Sequence, residues 1–151
     1  MFLLSLLSLC FAGDYEYWGH WRDNPTVVLC DTTDIAMEDV KAAVDYWNSK
    51  GYDIKNIITW DYCSQKRTNG VIKITPPGEY INVDQHFGFT TLGTTGQNDD
   101  IITSSIIELA KDAHEHKEVI IHELGHALGI KHCPQTNDIM YYKHVSFHTD
   151  L

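Results

Sequence analysis

The chain has 151 residues, room for one domain with a real core but hardly for two. Its formal net charge is −10, with 21 Asp and Glu against 11 Lys and Arg and no basic cluster. Binding to nucleic acid or to an anionic membrane surface draws on a basic face, so neither is an expected partner.

The first twelve residues, MFLLSLLSLCFA, form an apolar run too short to span a bilayer. They read as the core of a secretory signal, with the small residues Cys10 and Ala12 placed for a cut before Gly13. No Lys or Arg precedes the run, and a buried first strand or helix is the alternative. The expected organisation is a signal at 1–12 and one domain at 13–151, exported and monomeric. After the cut, Cys30, Cys63 and Cys133 remain, which allow at most one internal disulfide. Cys30 and Cys63 each follow an expected strand and are the favoured pair; three unpaired thiols are the alternative. No CxxC pair exists, so a thiolate zinc site is not expected.

Thr26–Cys30 is a short apolar run after Pro25 and reads as a strand. Asp34 is the expected N-cap of a helix whose inner face is Met37, Val40, Val44 and Trp47, with Gly51 as its stop. Residues 57–60 read as the next strand, which implies a right-handed parallel crossover. Val71–Thr75 is a third strand, ended by Pro76-Pro77-Gly78. Residues 87–92 are rich in β-formers and close on Gly93; Asn98-Asp99-Asp100 is the expected turn before a β-branched run at 101–107. A second helix is expected near Asp112, with Asp112 and Glu115 at capping-box spacing. Its apolar face is Ile120, Ile121, Leu124, Ala127 and Leu128. The expected fold class is α/β, a mixed, mostly parallel twisted sheet with one edge strand and two helices.

Residues 121–133 read IHELGHALGIKHC. On a helix, His122 and His126 lie about 40° apart around the axis and about 6 Å apart along it. Both imidazoles therefore reach one zinc ion at Zn–N distances of about 2.0–2.1 Å. Glu123 is displaced enough to miss the metal yet touch a water on it. Gly129 tolerates positive φ, ends the helix and turns the chain so that His132 returns as a third ligand. Three imidazoles leave one position open, as catalytic zinc sites do. Glu123 is then the general base that takes a proton from the zinc-bound water and later passes it to a leaving amine.

The pattern His-Glu-x-x-His-x-x-Gly-x-x-His resembles the metzincin metalloproteases, and its nearest likeness is the matrixin-like branch. The resemblance implies a zinc-dependent endopeptidase with a methionine turn after the active-site helix. Met140, in Asp138-Ile139-Met140-Tyr141-Tyr142, looks like that methionine, a hydrophobic base beneath the metal rather than a ligand. Tyr142 stands where a tyrosine in related proteins approaches the zinc and stabilises the transition state. Residues 87–92 look like the family's substrate-binding edge strand and 101–108 like the strand before the active-site helix. A protein or peptide substrate would add along that edge in extended form. The chain departs from the family in two ways. It ends nine residues after Tyr142, so the C-terminal helix is expected to be missing or vestigial, and there is no room for a propeptide between Gly13 and the first strand. A cysteine-switch latency is therefore not expected, and Cys133 beside His132 reads as a structural thiol.

His114, His116, His20, His86, His144 and His148 do not repeat the ligand spacing. A second, structural zinc at some of them, or calcium at Asp99 and Asp100, is the lesser expectation beside solvated side chains. Two other functions stand beside the endopeptidase: a catalytically silent zinc-binding protein of the same fold, for which Glu123 is superfluous, and a hydrolase of a non-protein, cell-wall peptide amide. An unstable truncated fragment is a further alternative.

Overall fold

The computed structural model of the protein describes residues 14–78, 80–83, 86–115 and 117–142. The expectations for the leader at 1–12, for a C-terminal helix, and for His116, His144 and His148 lie outside these residues. The sequences TVVLC and VIKIT are runs of β-formers buried on both faces, as central parallel strands must be. They are strands β2 (Thr26–Cys30) and β4 (Val71–Thr75), and they pair in parallel. Strand β3 (Asn56–Trp60) flanks β2 on its other side, also parallel, after the crossover helix α1 (Met37–Ser49).

Strand β6 (Asn98–Leu109) is the longest and organises the site side of the sheet. It pairs in parallel with β4 over Ser105–Glu108 and with the two-residue β1 (His20–Trp21) near its start. Strand β5 (Gly88–Thr95) pairs antiparallel with the same stretch of β6 that β4 occupies, so it lies on β6's opposite side. The order is β1-β6-β4-β2-β3, with β5 as the antiparallel edge beyond β6. The fold is thus the expected α/β arrangement, a mostly parallel mixed sheet with two helices.

Helix α1 buries Val40, Ala43, Val44 and Trp47, and helix α2 (Lys117–Ala127) buries Val119, Ile120, Leu124 and Ala127. Both cover the sheet face that presents Val27, Leu29, Ile72, Ile74 and Ile107, and these residues form one core. The sheet's other face carries Lys73 and Glu108, both almost fully buried. Lys73 reaches out of it to donate to the carbonyl of Lys66 at 2.6 Å. Glu108 accepts from the backbone N–H of Gly78 at 2.9 Å and of Ile81 at 3.0 Å. Those two segments thus cover the second face through polar bonds. Cys30 and Cys63 are joined by a disulfide, Cα–Cα 5.7 Å, and Cys133 is free and buried.

Four local expectations change. The N-cap of α1 is Ala36, without a side-chain cap, so Asp34 does not fill that role. Glu38 and Asp39 in the first turn meet the helix dipole instead. Strand β5 runs past Gly93 to Thr95 because register shifts between 93 and 95 absorb the irregularity. The turn falls at Gly96-Gln97, and Asn98-Asp99-Asp100 opens β6. Asp112 and Glu115 lie in a 3-10 segment, Lys111–Glu115, rather than at the start of α2. Strand β1 was too short to leave a sequence signal. Among the described residues no helix is long and apolar enough to cross a membrane.

Candidate active site

The C-terminal end of α2 is built so that a third histidine returns to the helix. Gly129 N–H donates to the His126 carbonyl at 2.9 Å and Ile130 N–H to the Gly125 carbonyl at 3.0 Å. Those two bonds, with Gly129 at φ 99°, make a Schellman ending. A Cβ at Gly129 would land on the carbonyl oxygen of Gly19, so glycine is required by space as well as by φ.

Beyond the turn the chain is held on both sides of His132. Lys131 N–H donates to the Glu16 carbonyl at 2.9 Å, and Cys133 N–H donates to the Met140 carbonyl at 2.9 Å. Tyr17 and Ile130 form an antiparallel bridge, and Trp18 N–H bonds the Gly129 carbonyl at 2.8 Å. The N-terminal segment therefore clamps the turn that carries the third imidazole. Two indoles pin the helix itself, Trp21 Nε1 donating to the Ala127 carbonyl and Trp47 Nε1 to the Ile121 carbonyl, both at 2.8 Å.

His122, His126 and His132 converge, with one ring nitrogen from each lying within 4.8 Å of the others. His122 Nδ1 lies 2.7 Å from the Ile139 carbonyl and His126 Nδ1 2.7 Å from the Ile130 carbonyl. A carbonyl only accepts, so these bonds place the proton on Nδ1 and leave Nε2 as the atom that could bind a metal. His126 and His132 Nε2 stand 3.0 Å apart, a few tenths short of the roughly 3.3 Å between two ligands of a tetrahedral zinc. Burial holds His126 at a pKa of about 4 and also lowers that of His132. His126 is therefore neutral at physiological pH. The donor set fits zinc.

Met140 is fully buried against the helix that carries His122 and His126. A Cβ at Gly125 would strike Met140 Sδ and come within 2.6 Å of Trp47, so a bare glycine lets the methionine seat against the helix. The turn is closed by Asp138, whose Oδ1 accepts from Met140 N–H at 2.7 Å and whose carbonyl accepts from Tyr141 N–H at 3.0 Å. Tyr15 donates its hydroxyl to the same carboxylate at 3.0 Å, and burial together with that carboxylate raises the Tyr15 pKa.

Glu123 faces the edge strand. The Thr90 hydroxyl hydrogen-bonds Glu123 Oε2, and a Cβ at Gly88 would collide with Glu123 Cγ at 2.7 Å. Successive even positions of β5 thus shape the seat of this carboxyl group. Burial pushes its pKa up to about 7, against the opposing effect of the Thr90 bond. Glu123, His126 and His132 open on a cleft of about 280 Å³, which His86, Phe89 and Trp18 also line. Sequence reasoning missed Thr90, His86 and Trp18 as site residues. Thr90 lies on the expected edge strand and was within reach of that reading, whereas no local signal marks Trp18.

Tyr142 is half-exposed, its ring 4.7 Å from that of Tyr141, and it does not line the cleft. His20 stacks on Tyr17 with ring centroids 4.7 Å apart. Among the described residues the His122, His126 and His132 trio is the group that converges as a metal site.

Comparison with known families matches the matrixin model (peptidase M10) to residues 59–150, which takes in β4, β5, β6, the active-site helix and the methionine turn. No curated protein matches the sequence. That match spans more than half of the sequence and includes all three converging histidines, and the chain belongs to the matrixin family.

Proposed function

We propose that the protein is a zinc-dependent endopeptidase that hydrolyses peptide bonds in extended segments of protein or peptide substrates. The observation that carries this reading is the placing of the Glu123 carboxyl group in one cleft with His126 and His132, against an exposed edge strand. His122, His126 and His132 would hold the zinc, the first two through Nε2. Bound there, zinc would supply Lewis acidity to a water and to the scissile carbonyl. Glu123 takes the proton of the attacking water and returns it to the leaving amine. A pKa near neutrality suits a group that must both accept and donate. Thr90 holds the carboxyl on one oxygen, and β5 offers its outer edge to the substrate backbone.

A silent zinc-binding protein needs no carboxyl group at position 123, and burying one without a use is costly. The apolar run at residues 1–12 supports export as the route by which this enzyme reaches its substrates. The protein acts as a monomer on this reading, without nucleic acid or membrane insertion. Cleavage of an unfolded protein by the zinc-loaded chain, lost on chelation and restored by zinc, is the test. Zinc uptake without any cleavage would leave the silent reading in its place.

A further inference from the structure

Strand β3 ends the sheet on the side away from the candidate site, with β2, β4 and β6 between it and β5. Among the described residues no strand pairs with its outer edge. The usual protections of such an edge are missing. Its five residues, Asn-Ile-Ile-Thr-Trp, include no Pro or Gly, and they run along β2 without a register shift. Charge stands only at the two flanks, on exposed Lys55 and Asp61. The edge is held at both ends. Lys55 N–H donates to the Pro25 carbonyl at 3.2 Å, Asp31 N–H donates to the Trp60 carbonyl at 3.0 Å, and the Cys30–Cys63 disulfide fixes the segment just beyond. Ile58, at the middle of the strand, is 41% exposed, and Tyr62 just past its end is 82% exposed. A single exposed isoleucine is ordinary, but one centred on an unpaired, preordered strand edge belongs to a template for another strand.

We propose that β3 pairs antiparallel with β3 of a second copy of this chain, about a two-fold axis through Ile58, and joins two six-stranded sheets into one. Charge complementarity selects both the occupant and the register. An axis perpendicular to the sheet keeps each side chain on its own face, so the central registers have the axis at Ile57, Ile58 or Thr59. At Ile58, Lys55 lies opposite the second copy's Asp61, and the same pair repeats at the other end. At Ile57, Asp61 would meet the second copy's Asp53, a like-charge pair. At Thr59, Asp61 would face Ile57 and have no counter-ion. The Ile58 register also sets the two Ile58 side chains against each other, and cross-strand pairs of this kind are the unit of sheet stabilisation. Those side chains lie on the sheet face of Lys73, since both residues stand beside Val28. Each copy keeps its own cleft, far from the joined edges, so the chemistry of a single copy is unchanged. A five-residue strand pair buries less than the roughly 1,200–2,000 Å² of a stable interface, so the two copies exchange readily.

The test is sedimentation equilibrium of the disulfide-bonded full chain from about 5 to 500 µM in roughly 0.15 M salt, which screens the net charge of −10. A monomer–dimer equilibrium within that range is the expected result. Ile58→Lys sets two ammonium groups at the axis and should weaken association at least about tenfold. Lys55→Asp and Asp61→Lys each turn both end pairs into like charges, and each should weaken it at least about fivefold. The double variant Lys55→Asp/Asp61→Lys restores opposite charges at both ends and should associate within about twofold of wild type. Mixing the two single variants should likewise give a heterodimer as tight as the wild-type pair. Thermal melts show whether each variant keeps its fold, and rescue by a second substitution cannot come from unfolding. A chain that stays monomeric across the whole range would leave the edge to a strand from another protein and would overturn the pairing. A dimer that Ile58→Lys does not weaken would overturn it too, as would single charge reversals that change nothing or that the double variant fails to rescue. Peptide cleavage plays no part in these readouts, so the pairing stands or falls apart from the proposed function.

Discussion

Glu123 and His126 are buried in opposite senses, and the metal-free protein should register both. Glu123 has its pKa raised from 4.5 to about 7, so its protonated form contributes stability that is full below pH 4.5 and lost as pH rises through 7. His126, lowered from 6.5 to about 4, contributes stability that is present above pH 6.5 and lost as pH falls through 4. Between about pH 4.5 and 6.5 the two slopes oppose each other. Replacing Glu123 by Gln removes the first. The metal-free variant should be more stable than wild type at pH 8 by up to about 3 kcal/mol, and no more stable at pH 4.5. Urea unfolding at the two pH values reads this directly, and equal stability at pH 8 would mean that the carboxyl group is solvated. Thr90 makes a second case. Thr90→Val keeps the shape and loses the hydroxyl bond to Glu123. It should lower kcat roughly 10- to 100-fold with little change in KM, and Thr90→Ser should recover most of it. A kcat equal to wild type in the valine variant would remove Thr90 from the account.

At the scale of elements, the helix that bears the site is defined by what its glycines admit. Gly125→Ala forces a methyl group onto Met140 and Trp47, and overpacking of this kind costs about 1–3 kcal/mol. Gly129→Ala should cost more, because left-handed strain of about 1–2 kcal/mol adds to a collision with the Gly19 backbone. Thermal melts rank the two, and a Gly129→Ala protein as stable as wild type would contradict the described turn. The motif residues were legible in the sequence because their chemistry is local: i and i+4 histidines share a helix face, and a glycine three residues on ends the helix. The edge strand was legible in kind and short by three residues at its end. The reason is that its register shift near Gly93 depends on pairing with β6, which no local pattern encodes. Asp34 had the right residue type for a cap, but α1 starts at Met37 and leaves it outside.

The whole molecule depends on links between distant parts of the chain, and these were the least legible. The N-terminal segment reaches the site through Glu16, Tyr17 and Trp18, and reaches the methionine turn through Tyr15 and Asp138, 123 positions apart. Hydrogen bonds of this span follow from the fold and not from composition. The disulfide was one of two open readings, since spacing alone does not pair cysteines. It ties β2 to the segment after β3 across 33 residues. Closing a loop of that length restricts the unfolded chain by roughly 2–4 kcal/mol. A Cys30→Ala/Cys63→Ala protein should therefore unfold at clearly lower urea with the same zinc content. An unchanged midpoint would show that the bridge adds nothing.

The most direct test of the central claim compares the wild-type chain with Glu123→Ala, both zinc-loaded, on an unfolded protein substrate. The account predicts cleavage by wild type that a chelator abolishes and zinc restores. The variant should bind zinc as well and cleave at least about a hundredfold more slowly. If both forms hold zinc and cleave at the same rate, or neither cleaves any substrate, Glu123 is not the base of a peptidase and the proposed function is wrong.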